Sequence, residues 1–231
     1  MRRLWAILCF AAFSVAGAVQ AQNTTVIELY TSQGCSSCPP ADKLLHDLAE
    51  RDDVIALALH VDYWDYIGWK DEFADPRYTE RQKGYARAAG ARSIYTPQMV
   101  IGGVDHVIGT RPSEVTGHVN RHSAKAPAIS INTERNGTRA VVRAVAVERV
   151  SGGIVVQVVT YRPTSTVKIL RGENRGRTLD YANVVTSWTE AERWNGRGEL
   201  TFTATLPNDE PAVVLFQRPD HGEIVAAAHI R

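Results

Sequence analysis

Cys35-Ser36-Ser37-Cys38, followed at once by Pro39-Pro40, is the stretch of this 231-residue chain best equipped for chemistry. Two residues between cysteines let the sulfurs meet across the first turn of a helix. Three roles suit such a pair: a redox couple, a structural disulfide, or half of a metal site. Its placement favours the first, because it lies between the strand-like run Val26–Tyr30 and the helix-like run Pro39–Glu50. Free amides and the dipole at a helix N-terminus favour a thiolate. Cys35, the outer cysteine, is then the expected nucleophile, and Cys38, one turn deeper, resolves the mixed disulfide. A structural staple is disfavoured mildly, since so short a bridge closes too small a loop to stabilise much. Zinc needs four ligands and there is no second cysteine pair. A copper or zinc carrier using both thiolates and a histidine stays open as an alternative, but no cofactor or metal is expected.

Other residues can support the pair. Thr96-Pro97 directly precedes the strand-like Gln98–Ile101. Coupled to the upstream cysteines and the following hairpin, the bond is read as cis, leaving Thr96 to offer its backbone to an extended substrate beside Cys35. Glu28 is a candidate buried carboxylate that accepts the Cys38 proton; the alternative is a solvent-facing edge residue. Asp62–Phe73 carries Tyr63, Trp64 and Trp69, the candidate substrate-binding wall. A satellite core under a long loop explains the same residues equally well. His118 and His122 stand one helical turn apart, but lack a third ligand nearby and read as a helix face. His60 ends a buried strand and is expected to be hydrogen-bonded there. Gly172–Arg177 lacks the ending of a phosphate loop and reads as a turn packed against the redox half.

These residues need elements to position them. Val54–Val61 is a continuous apolar run, as a strand buried on both faces requires. Asp75-Pro76 reads as an N-cap and first helical position, with a stop at Gly90. Gln98–Ile101 and Val104–Ile108 are strands joined at Gly102-Gly103, and Pro112–Ala124 is a last helix. Beyond Pro127 strand-like runs recur: 128–132, 140–147, 154–161, 167–170, 200–206, 213–217 and 224–230. The chain thus divides into an α/β part, residues 22–124, with a mixed sheet flanked by helices, and a β-rich part, residues 125–231, expected to form a β-sandwich.

Residues 1–21 have a positive start at Arg2-Arg3, an apolar stretch and the small-residue ending Val19-Gln20-Ala21. They read as a secretory signal peptide, which would carry Cys9 away. Without them the formal charge of +1 becomes −1. No nucleic-acid partner is expected from that balance, and no membrane partner after cleavage. Export to the periplasm or outside the cell puts Cys35 and Cys38 where disulfides persist. The partner expected is a protein or small-molecule thiol or disulfide.

The strand, the CSSCPP helix start and YTPQMVIGG together resemble the thioredoxin fold. More narrowly, VIELYTSQGCSSCPPAD, HVDYWDYIGWKDEFADPRYTERQKGYA and YTPQMVIGG resemble the exported thioredoxin-like family catalogued as domain of unknown function 1223. GENRGRTLDYANVV and AVVLFQRPDHGEIVAAA resemble that family's C-terminal part. The resemblance implies a thioredoxin-like α/β domain followed by a β-sandwich-like domain. It gives Cys35 the nucleophile role, Cys38 the resolving role and Pro97 the cis-proline role. Ser-Ser between the cysteines and Gly34 before them depart from the thioredoxin pattern. The function expected is that of an exported thiol–disulfide oxidoreductase. The alternative is a non-catalytic binding or assembly protein with a structural disulfide.

Overall fold

The computed structural model describes residues 24–231. The leader and Cys9 lie outside the described residues. Strand β1 (Thr25–Thr31) and strand β2 (Val54–His60) are buried along their whole length and pair in parallel through helix α1 (Pro39–Ala49). Apolar residues at alternate positions of β1 feed two separate cores. Ile27 and Leu29 pack with Ala41 and Leu45 of α1, while Val26 and Tyr30 pack on the opposite face. Helix α2 (Pro76–Ala88) starts where the Asp75 carboxylate accepts from the Arg77 amide at 2.8 Å. Strands β3 (Gln98–Ile101) and β4 (Asp105–Ile108) form the expected antiparallel hairpin. Its turn uses positive φ at Gly102 and Gly103, where a side chain would be strained. Helix α3 (Pro112–Ser123) follows.

The remaining chain is all strand: β5 (Ile129–Asn136), β6 (Arg139–Ala146), β7 (Ile154–Lys168), β8 (Thr178–Trp194), β9 (Glu199–Thr205), β10 (Ala212–Gln217) and β11 (Ile224–Ile230). Here the two-part fold expected from sequence, a thioredoxin-like unit followed by a separate β-sandwich, is overturned. Four of these strands join the first sheet, giving one eight-stranded sheet in the order β11-β10-β7-β8-β2-β1-β3-β4. Only β5, β6 and β9 form a second sheet. It covers one face of the large one, with Val142 and Phe202 packed among Val156, Val214 and Phe216.

The physical reason is the outer edge of β2. Its residues are apolar on both faces, and an open edge of that kind needs a partner. β8 lies alongside it in parallel at Ala58 and Val184, and Asn183 Nδ2 donates to the Ala56 carbonyl at 2.9 Å. One core then runs through both parts of the chain: Leu57, Leu59 and Tyr85 share it with Val159, Val213 and Leu215.

Candidate functional site

Cys35 and Cys38 are joined, with an S–S distance of 2.06 Å. Cys38 is the N-cap of α1, and Cys35 lies in the preceding turn. Helix position alone does not furnish amides for a thiolate, however. Pro39 and Pro40 have no N–H to give. The next two amides, of Ala41 and Asp42, both bond the Cys38 carbonyl, at 2.8 and 3.1 Å. Two hydroxyls approach the Cys35 sulfur instead. Thr96 Oγ1 donates to Cys35 Sγ at 3.3 Å, and Ser37 Oγ lies at 3.5 Å. The Trp64 indole N–H donates to Thr96 Oγ1 at 2.7 Å. That bond occupies the oxygen's acceptor side and aims the hydroxyl proton at sulfur.

The Thr96-Pro97 peptide is cis. Its surroundings are fixed from both sides. The buried Gln82 amide donates to the Tyr95 carbonyl at 2.7 Å, and Gly109 N–H bonds the Pro97 carbonyl at 3.0 Å. Among the described residues the backbone N–H and C=O of Thr96 itself take no hydrogen bond. An unpaired donor and acceptor thus stand beside the disulfide.

The aromatic segment divides. Tyr63 and Trp64 pack against the main core beside Thr96, and Tyr66, stacked on Trp64, is 80% exposed. Trp69 is not on that side. It packs against Val167, Ile169 and Leu179 and donates to Gln33 Oε1 at 2.7 Å. The segment is therefore part surface, part satellite core.

Glu28 is buried, but the structure does not bring it to the cysteines. It lies on the face of β1 opposite α1, where Arg81 grips it through two bonds of 2.7 and 2.8 Å and Tyr30 and Tyr85 donate to it. Burial opposes the charge of Arg81, but Glu28 and the neighbouring tyrosines outweigh it and raise the guanidinium pKa.

The buried carboxyl nearest the pair in the chain is Asp42, which sequence reasoning missed. Thr31 Oγ1 donates to its Oδ1 at 2.7 Å, and its Oδ2 is buried without a protein partner. Burial pushes Asp42 up to about 7, against the Thr31 hydrogen bond and the His60 charge. The available signal was its spacing. Asp42 stands three and six residues before Leu45 and Leu48, on the stripe that α1 buries. His60, expected to be satisfied in place, holds Asp71 at 2.7 Å. Burial works against the Asp71 charge, but His60 and the Gln33 and Phe73 amides more than offset it and hold this carboxyl low.

The turn 172–177 does pack on the cysteine loop. Asn174 Nδ2 donates to the carbonyls of Gln33 and Cys35, each at 3.0 Å. Gly172 lets this turn approach, since a Cβ there would lie 3.2 Å from Trp69 Cβ. His118 and His122 both face Asp105, at 3.1 and 2.6 Å. Among the described residues no three His, Cys, Asp or Glu side chains are grouped to hold a metal ion. No described helix is long and apolar enough to cross a membrane.

Two solved structures are similar over most of the chain. A crystallised Agrobacterium tumefaciens protein matches with a TM-score of 0.78 and 29% identity, over 91% of this chain and 95% of that one. HBP35 of Porphyromonas gingivalis matches with a TM-score of 0.61 and 12% identity, over 90% of this chain and 74% of that one. The second likeness is one of fold alone. No curated protein matches the sequence. The family model described as "Protein of unknown function (DUF1223)" matches residues 26–217, and the chain belongs to that family.

Proposed function

We propose that the protein is a thiol–disulfide oxidoreductase whose working pair is Cys35 and Cys38. One observation carries this reading: Thr96 turns its hydroxyl to Cys35 Sγ, while its backbone N–H and C=O pair with no backbone group among the described residues. A structural staple has no use for either feature. An extended thiol or disulfide substrate can take both backbone groups as an added strand, bringing its sulfur to Cys35. In the dithiol form the Cys35 thiolate attacks a substrate disulfide. One substrate sulfur leaves with the bonding pair, and Cys38 then displaces the other. In the disulfide form a substrate thiolate attacks Cys35 and Cys38 leaves. Tyr63, Trp64 and Tyr66 form the apolar flank for such a substrate. The leader-like N-terminus suits work outside the cytosol, where either direction has partners.

The competing reading, a structural disulfide in a binding protein, draws on burial: Cys35 is 3% exposed and Cys38 is fully buried. Reduced protein incubated with insulin and a dithiol donor separates the two. The redox reading expects accelerated insulin reduction that vanishes in Cys35→Ser, and a trapped mixed disulfide in Cys38→Ser. No acceleration and no trapped adduct would leave the staple.

A further inference from the structure

Resolving a mixed disulfide requires Cys38 to lose a proton, and Cys38 has no exposed surface. Asp42 lies four residues further along α1, its amide bonded to the Cys38 carbonyl. The Asp42 Oδ2 atom is buried and has no protein partner, and neither have His60 Nε2 and the Tyr181 hydroxyl. The three residues adjoin. Thr31, which holds Asp42, is the register partner of His60, so one strand spacing of about 4.8 Å separates their backbones. The His60 and Tyr181 rings are 4.8 Å apart. Buried polar atoms without protein partners are served by ordered water.

On its other side Asp42 lines a groove of about 500 Å³ between α1 and β8, with Pro39, Lys43, His46, Thr178 and Asp180. Cys35 faces Thr96, on the β3 side. In the sheet β8 and β3 flank the β1–β2 pair that α1 covers. The groove and the substrate side are therefore on opposite flanks of α1.

We propose that Asp42 is the proton acceptor for Cys38 and exchanges that proton with solvent through the α1–β8 groove, behind the substrate. This rests on the redox reading above. In the resolving step an Asp42 carboxylate oxygen takes the proton from Cys38 Sγ. The thiolate attacks Cys35 Sγ, the Cys35–Cys38 bond forms, and the Cys35–substrate bond breaks. The substrate sulfur leaves as a thiolate with the bonding pair. The substrate disulfide is reduced by two electrons and the cysteine pair is oxidised; a dithiol donor restores it. His60 and Asp71 act on Asp42 from the end of β2 and the loop after it, the first lowering and the second raising its pKa. Tyr181 faces it from β8. With burial these bring Asp42 to about 7, so it can exchange a proton near neutrality.

The test is a single turnover of the reduced full chain with 5,5′-dithiobis(2-nitrobenzoate), which releases one coloured thiolate when Cys35 attacks and a second when Cys38 resolves. Asp42→Asn should slow the second release about 100-fold at neutral pH and leave the first unchanged. Thr31→Val, which keeps the carboxyl but removes the bond that lowers its pKa, should move the pH midpoint of the second release upward. Thr178→Trp, filling the groove, should slow the second release alone. A second release that is normal in Asp42→Asn, or a midpoint unmoved in Thr31→Val, overturns the acceptor assignment. A normal rate in Thr178→Trp overturns the route. Absence of the first release in the unaltered protein overturns the redox reading itself, so the two failures are distinct.

Discussion

Asn174 donates from its side-chain amide to the carbonyl oxygen of Cys35 at 3.0 Å, bridging 139 positions of chain. The same amide holds the Gln33 carbonyl, and Arg177 donates to the Asn174 oxygen at 2.9 Å. The β7–β8 turn thus clamps the cysteine loop. Asn174→Ala leaves two carbonyls short of a donor in a buried place, at a cost of about 2 to 3 kcal/mol. Urea unfolding reads that loss. Reduction of the Cys35–Cys38 bond by dithiothreitol should quicken in the same variant, because the loop is no longer tied.

Thr96→Val keeps the shape of residue 96 and removes the hydroxyl that meets Cys35 Sγ. A hydrogen bond to a charged group contributes roughly 1.5 to 3 kcal/mol. Losing it raises the Cys35 thiol pKa by about one to two units. Alkylation rate against pH in the reduced protein measures the shift. An unmoved profile would assign thiolate stabilisation elsewhere.

Glu28→Gln strands Arg81, which is almost fully buried against it. Removing one member of a buried ion pair costs about 3 to 5 kcal/mol. Thermal unfolding should show that loss, while the second thiolate release described above keeps its normal rate. A slowed release with intact folding would return the proton-acceptor role to Glu28.

Asp42 binds a proton more tightly folded than unfolded, because burial raises it from the ordinary 3.8 to about 7. Its contribution to stability is therefore full at low pH and is lost as pH rises between those two values. Asp42→Asn is neutral throughout. It should be more stable than the unaltered protein by roughly 2 to 4 kcal/mol above pH 7, with the gap closing toward pH 4. Melting curves across that range decide it.

Residues 24–124 alone should not give a stable monomer. Cutting there uncovers the β2 edge and strips Val159, Tyr161, Val213 and Leu215 from the core that holds Leu57 and Leu59. The expected result is aggregation or loss of cooperative melting. A soluble, cooperatively melting fragment would show that the first strands are self-sufficient.

Up to residue 123 the chain was legible element by element, because its helices and strands are punctuated. Asp75-Pro76 opens a helix, Gly102-Gly103 turns a hairpin, and the apolar run at 54–61 marks a central strand. The cysteine pair and the cis bond were legible for the same reason. What failed was the joining of the two parts. Thr178–Trp194 mixes Asp180, Asn183, Thr186 and Ser187 into its strand and shows no clean alternation. Its mate β7 reads in the sequence as two runs, 154–161 and 167–170, broken near Pro163. The structure accommodates Pro163 because the ladder skips it opposite Asn183, whose φ is +49°. Pairing between strands so far apart in the chain is a long-range property, and no local spacing reports that β2 and β8 adjoin. Asp42 escapes notice in the sequence because an acidic residue in the first turn of a helix looks solvated until the neighbouring strand is in place. Glu28 looked available because its strand position was legible and its Arg81 partner was not.

The order of strands in the large sheet sets an order in time. A polypeptide made from its amino end displays both sulfurs early, yet the strand that adjoins β2 is synthesised only after most of the chain. Closing so distant a contact is slow compared with forming α1. Throughout that interval the two thiols stand without the Asn174 clamp, so an oxidant that meets the growing chain finds a looser pair than the finished protein presents.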